Sequence, residues 1–454
     1  MNSNIPHILI ISSRANTGAG GETYLMSVLR HIDRNRFSPI IALPAEGTLI
    51  PVLNDMDIPY VVVGNEYGYF GAPDPWYKLL GNLQGAVVTL SEVIRDRNIA
   101  IVHTNSNFRL EGAMAARLTG TRHLYLAHIE YQPEMPIFRR FPITPASYAG
   151  LMGELSDKVI AVSDSVAETL RPMIPEGKLG VVHNGIELEA FDAKAAEGGS
   201  IREELDIPPD SVLVSAVGRM NPDKGFDLFV EAAGIALREA ENVHFLLIGG
   251  REVDSFEAQI RQRVEQLDIT PNFHFLGHRK DVPSILRQSD IFVLSSRREG
   301  HPYVMLEAMA ASCAVVACNC AGVEETIANG SNGFFVDLED VEGISGRLLE
   351  LVRTPSLRTR MGDAARRHIE EHFQATLTTN RLMDTYDELL SSPPPIPGSP
   401  AIDLFLQSAT ELSLLGKKQL EMEQRLRKAE RLSALVLDNF VVRTLRSLRN
   451  RISG

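Results

Sequence analysis

Cysteine is scarce in this chain: three residues in 454, Cys313, Cys318 and Cys320, all within one apolar stretch. That scarcity excludes a disulfide framework and fits a reducing compartment. Zinc ligation would need a fourth ligand in a turn-like setting, whereas "CAVVACNC" reads as a buried strand. An excess of basic charge is also lacking. A net charge of -13 argues against an extended nucleic-acid surface, so no nucleic-acid partner is expected. No apolar run reaches the ~18 residues of a membrane span. "MNSNIP" leads straight into the short apolar "HILII", so no secretory leader is expected. These absences together predict a cytoplasmic protein whose membrane contact, if any, is peripheral.

What is present is alternation. Hydrophobic content of 44% and charged content of 23% are ordinary for a globular protein, and the length predicts two domains plus an appendage. Short β-branched runs read as strands at 7–11, 37–43, 60–63, 100–104, 124–127, 158–162 and 179–183. A second series follows at 212–217, 244–248, 273–276, 291–294, 314–317 and 333–336. Amphipathic segments at 77–97, 226–240 and 255–267 lie between them. Strands buried on both faces and joined by helices predict an α/β fold of two doubly wound parallel sheets. Such a pair places a ligand cleft at the carboxyl ends of both sets of strands. The polar stretch 192–200 separates the two series.

The predicted organisation is an N-terminal domain over 1–190, a second domain over 191–375, and a crossover helix at 376–391. A proline-rich linker at 392–400 and a helical tail at 401–454 follow. "SSPPPIPGSP" has five prolines that remove donors and fix φ, which predicts a flexible linker.

Three segments carry candidate chemistry. "GAGG", Gly18 to Gly21, follows the first strand and precedes a helix, so its amides and the helix dipole suit an anion. A plain tight turn explains it equally well. In "VGRMNPDKGFD", Arg219 and Lys224 sit at a strand's carboxyl end. There a guanidinium can chelate pyrophosphate oxygens while an ammonium acts as a point charge; solvated loop charges are the plainer alternative. In "REGHPYVMLEAMA", Glu299 ends a loop and Glu307 begins a helix, so both carboxylates can face one cleft and accept from paired sugar hydroxyls.

In this order and spacing the segments resemble the retaining glycosyltransferase family four, with its GT-B fold of two facing Rossmann-like domains. The resemblance covers roughly residues 5–390. It is carried by "GAGG", "SDKVIAVSDSV", "VVHNGIELEAF", "VGRMNPDKGFD", "FLLIGG", "FHFLGHRKDVPSILRQSDIFVLSSRREGHPYVMLEAMA" and "AGVEETIANGSNGFFV". It implies a retaining, metal-independent transfer from a UDP- or GDP-sugar, with no cofactor. The acceptor it implies is a lipid-linked or polysaccharide glycan of the bacterial cell-surface type. Position by position, Arg219 and Lys224 would hold the diphosphate and the Gly20 and Gly21 amides its distal phosphate. Glu307, with Leu306 beside it, would meet the ribose, Glu299 the transferred sugar, and Gly277 to Arg279 the base. His301 replaces a common aromatic in the sugar pocket and is expected to tune donor choice. The family's catalytic-side histidine matches His128 in "LYLAHIE"; His103 in "IVHTNS" is the competing match and looks like an earlier structural histidine. Ser312, Ala314 and Ala321-Gly322 depart from the usual pattern near the diphosphate and sugar.

Two other motifs are decoys. "DMD" at 55–57 precedes a strand, the wrong sheet end for a ligand, and "HIEEH" at 368–372 lies in a charged helix without a third ligand to nominate. The proline- and aromatic-rich segment 129–149, with Arg139 and Arg140, is expected to bind the acceptor. In the tail, Val441, Leu445, Leu448 and Ile452 form one helical stripe, and residues 417–454 hold ten basic against four acidic residues. That pattern fits an anionic membrane surface, with a coiled-coil homodimer as the alternative. A sugar-nucleotide epimerase and a non-catalytic sugar-nucleotide-binding scaffold are the rival functions.

Overall fold

The computed structural model describes residues 5–18, 20–64, 76–106, 108–133, 143–250 and 253–452. Two all-parallel sheets organise it. The first holds seven strands in the order β3-β2-β1-β4-β5-β6-β7. They are β1 (His7–Ser12), β2 (Ser38–Leu43), β3 (Tyr60–Val62), β4 (Ile99–Asn105), β5 (Arg122–Ala127), β6 (Lys158–Ala161) and β7 (Leu179–Val181). The second holds six strands, ordered β10-β9-β8-β11-β12-β13. These are β8 (Val212–Val217), β9 (Val243–Ile248), β10 (Phe273–Gly277), β11 (Ile291–Leu294), β12 (Ala314–Cys318) and β13 (Phe334–Val336). The central strands are buried almost throughout, as "HILIIS" and "AVVAC" show. Helices must therefore cover both faces, and parallel connections follow.

In each sheet the strand order reverses once, between β1 and β4 and between β8 and β11. Loops leaving two strands on either side of a reversal part in opposite directions, which opens a crevice at the carboxyl ends. The candidate residues fall at those two points.

The chain crosses between the domains twice, and the crossings are stitched together. Ile186 N–H donates to Phe373 O at 2.8 Å and Ala375 N–H donates to Ile186 O at 2.9 Å. Helix Ala375–Ser391 then returns to the N-terminal domain, burying Leu382, Met383, Tyr386 and Leu389 in that core.

The proline-rich segment is not a free linker. Arg122 donates to Leu390 O at 3.3 Å and to Ser392 O, and Gly398 N–H donates to Arg117 O at 3.1 Å. Pro397 lies so close to Gly120 that a Cβ there would sit 2.6 Å from its ring. Prolines deny the segment helix and sheet but leave its carbonyls free to accept from Arg122. The tail helix, Pro400–Ile452, therefore leaves the body in a fixed direction. Among the described residues no helix is long and apolar enough to cross a membrane.

The decoy "DMD" forms a turn, with Asp57 at φ 53° before β3. All three cysteines are buried, and Cys313 Sγ donates to Leu286 O at 3.1 Å. The segment after β5 is shorter than the sequence predicts, because a helix already begins at Pro145, capped by Thr144. Arg139 and Arg140 lie outside the described residues.

Candidate active site

The N-terminal wall is built on β1, β4 and β5. Helix Gly20–His31 starts directly after the β1 loop, and that loop is braced from below. Arg109, buried beside Glu111 at 2.7 Å, donates to Ser13 O at 3.0 Å. A buried guanidinium paired this closely is costly to disturb, so the loop is firmly held where it begins at Ser13. His128 follows β5 immediately. Its Nε2 lies 2.6 Å from Asn105 Oδ1, and Asn105 Nδ2 donates to Gly21 O at 3.0 Å. Because the amide nitrogen is committed to a carbonyl, Asn105 Oδ1 must accept, and His128 carries its proton on Nε2. Burial pushes the His128 pKa down to about 4, so the ring is neutral at pH 7.

The C-terminal wall is built on β8 and β11. Lys224 sits on a tight turn ended by Gly225 at φ 60°, where a Cβ would come within 1.9 Å of Ser295 O. Only glycine fits so close a backbone approach. Ser295 Oγ in turn donates to Lys224 O at 2.9 Å. The result is a direct pair: Lys224 Nζ lies 2.5 Å from Glu299 Oε1, which also accepts from Ser296 Oγ at 2.7 Å. Glu307 lies on helix Tyr303–Ala310 and keeps a little solvent access, yet its surroundings are dense. Burial pushes its carboxyl up to about 7, with Lys194 opposing weakly.

The two walls meet. A Cβ on Gly20 would touch the Tyr303 ring at 3.8 Å, and one on Gly21 would lie 4.0 Å from His128 Nε2. Gly300, next to Glu299, approaches His128 O so closely that a Cβ would sit 1.8 Å away. Glu22 belongs to the same contact. Burial pushes its carboxyl upward, offset by the charge of Arg14 and, from the opposite wall, of Arg219.

The structure thus gathers Gly20, Gly21, His128, Arg219, Lys224, Glu299 and Glu307 around one crevice. Gly277, at φ 63°, ends β10 beside Gly249. Three other expected donor residues are held by the protein's own groups. His301 is a buried strut: its Nδ1 accepts from Asn184 N–H at 3.1 Å and its Nε2 donates to Thr326 Oγ1 at 3.0 Å. Both ring nitrogens are satisfied within the protein, so the ring cannot read a sugar hydroxyl. Arg279 is clamped by Glu204 at 2.6 Å and Asp281 at 2.8 Å, which leaves it supporting its own loop. The Leu306 side chain is fully buried in the core, so any contact it makes with a ligand is through backbone. His103, on β4, is buried with Nδ1 2.7 Å from the Tyr386 hydroxyl.

Sequence reasoning missed Asn105, Glu22, Tyr303, Ser296 and Glu325. Asn105 ends β4 and Glu22 directly follows the glycines, so strand-end position was the available signal for both. Glu325 accepts from Asp164 N–H at 2.6 Å and from Ser165 N–H and Oγ at 2.9 Å each, linking the two domains.

Comparison with known proteins agrees with this geometry. Residues 199–368 match the family described as "Glycosyl transferases group 1", and residues 18–190 match "Glycosyltransferase Family 4". The chain is 26% identical over 244 residues to a Staphylococcus aureus capsular polysaccharide biosynthesis glycosyltransferase, CapM, covering 51% of this chain and 62% of that relative. It is 26% identical over 318 residues to an Escherichia coli UDP-Gal:alpha-D-GlcNAc-diphosphoundecaprenol alpha-1,3-galactosyltransferase, covering 67% of this chain and 79% of that one. The solved structure of Anabaena HepE with UDP and glucose superposes with a TM-score of 0.70 at 19% identity, covering 84% of this chain and all of that one. Two facing α/β domains with this crevice have the GT-B fold, and the family matches make the chain a glycosyltransferase. The chain belongs to glycosyltransferase family four, its second domain being of the group 1 type.

Proposed function

We propose that the chain moves a sugar from a nucleoside diphosphate donor, a UDP- or GDP-sugar, to a glycan acceptor in cell-surface glycan synthesis. The acceptor class, lipid-linked or polysaccharide, takes its support from the relatives' names. The observation that carries the reading is the Lys224–Glu299 pair at 2.5 Å, set in the wall opposite Gly21 and His128. It puts a cation for phosphate and a carboxylate for sugar hydroxyls side by side in one wall of the crevice.

The chemistry follows from charge. Departure of the nucleoside diphosphate leaves negative charge on a phosphate oxygen. Arg219, Lys224 and the helix N-terminus at Gly20–Gly21 can neutralise it in place, the role a divalent metal otherwise fills. Glu299 orients the transferred sugar and Glu307 accepts from the ribose hydroxyls. His128, neutral with its Nε2 proton held on Asn105, lines the sugar's side of the cleft. The reading includes retention through a same-face displacement, in which the leaving phosphate takes the acceptor's proton. The enzyme would act in the cytoplasm.

Turnover of UDP-glucose, UDP-galactose and GDP-mannose, with and without an undecaprenyl-diphosphate-linked sugar, tests the reading. Release of an epimerised donor without acceptor would make it an epimerase, and binding without turnover a scaffold.

A further inference from the structure

The tail helix has two apolar faces, and among the described residues only one is covered. Ile402, Leu406, Ala409 and Ser413 are buried against helix Trp76–Asp96, where Thr410 Oγ1 donates to Gln84 Oε1 at 3.0 Å. The second face lies more than a third of a turn around the helix axis. On it Leu412, Leu415, Met422 and Leu426 are 47%, 60%, 69% and 62% exposed.

Their spacing is that of a heptad. From Leu412 the sequence steps by three and four through Leu415, Gln419, Met422, Leu426, Ala429, Ser433, Val436 and Phe440 without a break. At 1.5 Å per residue this stripe is about 42 Å long. It continues past Leu420, the last partly covered residue before the helix leaves the body.

The flanking charges choose the occupant. Lys418 and Arg425 precede the seam positions Gln419 and Leu426, while Glu423 and Glu430 follow Met422 and Ala429. In a parallel pair of these helices, Lys418 faces Glu423 of the second copy and Arg425 faces its Glu430. An antiparallel pair would set like charges against each other. An anionic lipid surface would be attracted by Lys418 and Arg425 on one edge of the stripe but repelled by Glu423 and Glu430 on the other, a mixed pattern that a second copy matches and a uniformly anionic surface does not.

We propose that this face is a parallel two-stranded coiled-coil seam with a second copy of the chain. Gln419 and Ser433 at the seam fix its register at a cost in stability. The interface is isologous and places both catalytic bodies at the same end of the paired helices, each held in direction by its packed proline-rich segment.

Sedimentation equilibrium of the full chain tests this, with circular dichroism confirming that each variant is folded. The expected mass is twice the 50.1 kDa of one chain. Met422→Glu with Leu426→Glu should give the single-chain mass. Lys418→Glu with Arg425→Glu should weaken self-association at least tenfold, as should Glu423→Lys with Glu430→Lys. Mixing the two charge-reversed proteins should restore a heterodimer. A single-chain mass for the unaltered protein would overturn the proposal, as would a Met422→Glu/Leu426→Glu protein that still pairs. Failure of the mixed proteins to pair would overturn it too. A monomer that co-sediments with phosphatidylglycerol vesicles would assign the face to lipid instead.

Discussion

His183 Nε2 donates to Glu325 Oε2 at 2.7 Å, joining the end of β7 in one domain to the loop after β12 in the other. The neighbouring residues repeat the link. Asn184 donates its backbone N–H to the His301 ring and its side-chain amide to His301 O at 2.7 Å, and His301 reaches Thr326. His301 is two residues from Glu299, so the clasp sets the position of Glu299 against His128.

Burial alone would raise the Glu325 carboxyl, but His183 and the Ser165 and Asp164 amides outweigh it and hold it down to about 2. A carboxyl depressed on folding stabilises the protein above its unfolded pKa, near 4.5, and loses that contribution as pH falls towards 2. Glu325→Gln turns an NH2 donor towards other donors and should cost about 1–3 kcal/mol at pH 7. Urea denaturation checks this: the gap between the two proteins should close at low pH, and equal stability at pH 7 would remove the clasp.

Arg219→Ala and Lys224→Ala should each lower turnover by roughly 100-fold or more, the usual effect of deleting a preorganised charge partner. Steady-state kinetics with the preferred donor reads this out. Full activity in the Lys224→Ala enzyme would remove the diphosphate assignment.

Glu307, whose carboxyl is shifted the other way, predicts a pH dependence of donor binding. Its carboxyl, raised to about 7, must ionise to accept from two ribose hydroxyls. Donor affinity should therefore strengthen between pH 6 and pH 8, by up to about tenfold. Calorimetric titration with UDP at both pH values, beside the Glu307→Gln protein, separates this step from ionisation of UDP itself. An identical pH dependence in the variant would contradict the ribose contact.

Asn105→Ala should release the His128 tautomer and the Gly21 carbonyl together. A misplacement of this kind typically costs on the order of 100-fold in rate. The expected signature is a fall in kcat with UDP affinity unchanged, and a loss of UDP affinity alone would place Asn105 on the donor's nucleotide instead.

Both sheets were legible because their strands are buried on two faces, so each reads as a short β-branched run whatever surrounds it. Arg219, Lys224, Glu299 and the glycines were legible because they lie at strand ends with distinctive spacing. His301 and Arg279 were not. Their fates depend on Thr326, Asn184 and Glu204, partners remote in sequence that no local pattern announces. The proline-rich segment misled for the same reason, since composition shows what its backbone cannot form but not that Arg122 waits to bind it.

Transfer itself is the most direct test of the account. The preferred nucleotide sugar, an undecaprenyl-diphosphate-linked acceptor and the enzyme are combined in EDTA, and the product's anomeric configuration is read by NMR. A new glycosidic bond with the donor's configuration kept, formed at a rate nearly unchanged by the chelator, is the expected result. An inverted product, or a strict requirement for magnesium, would contradict it.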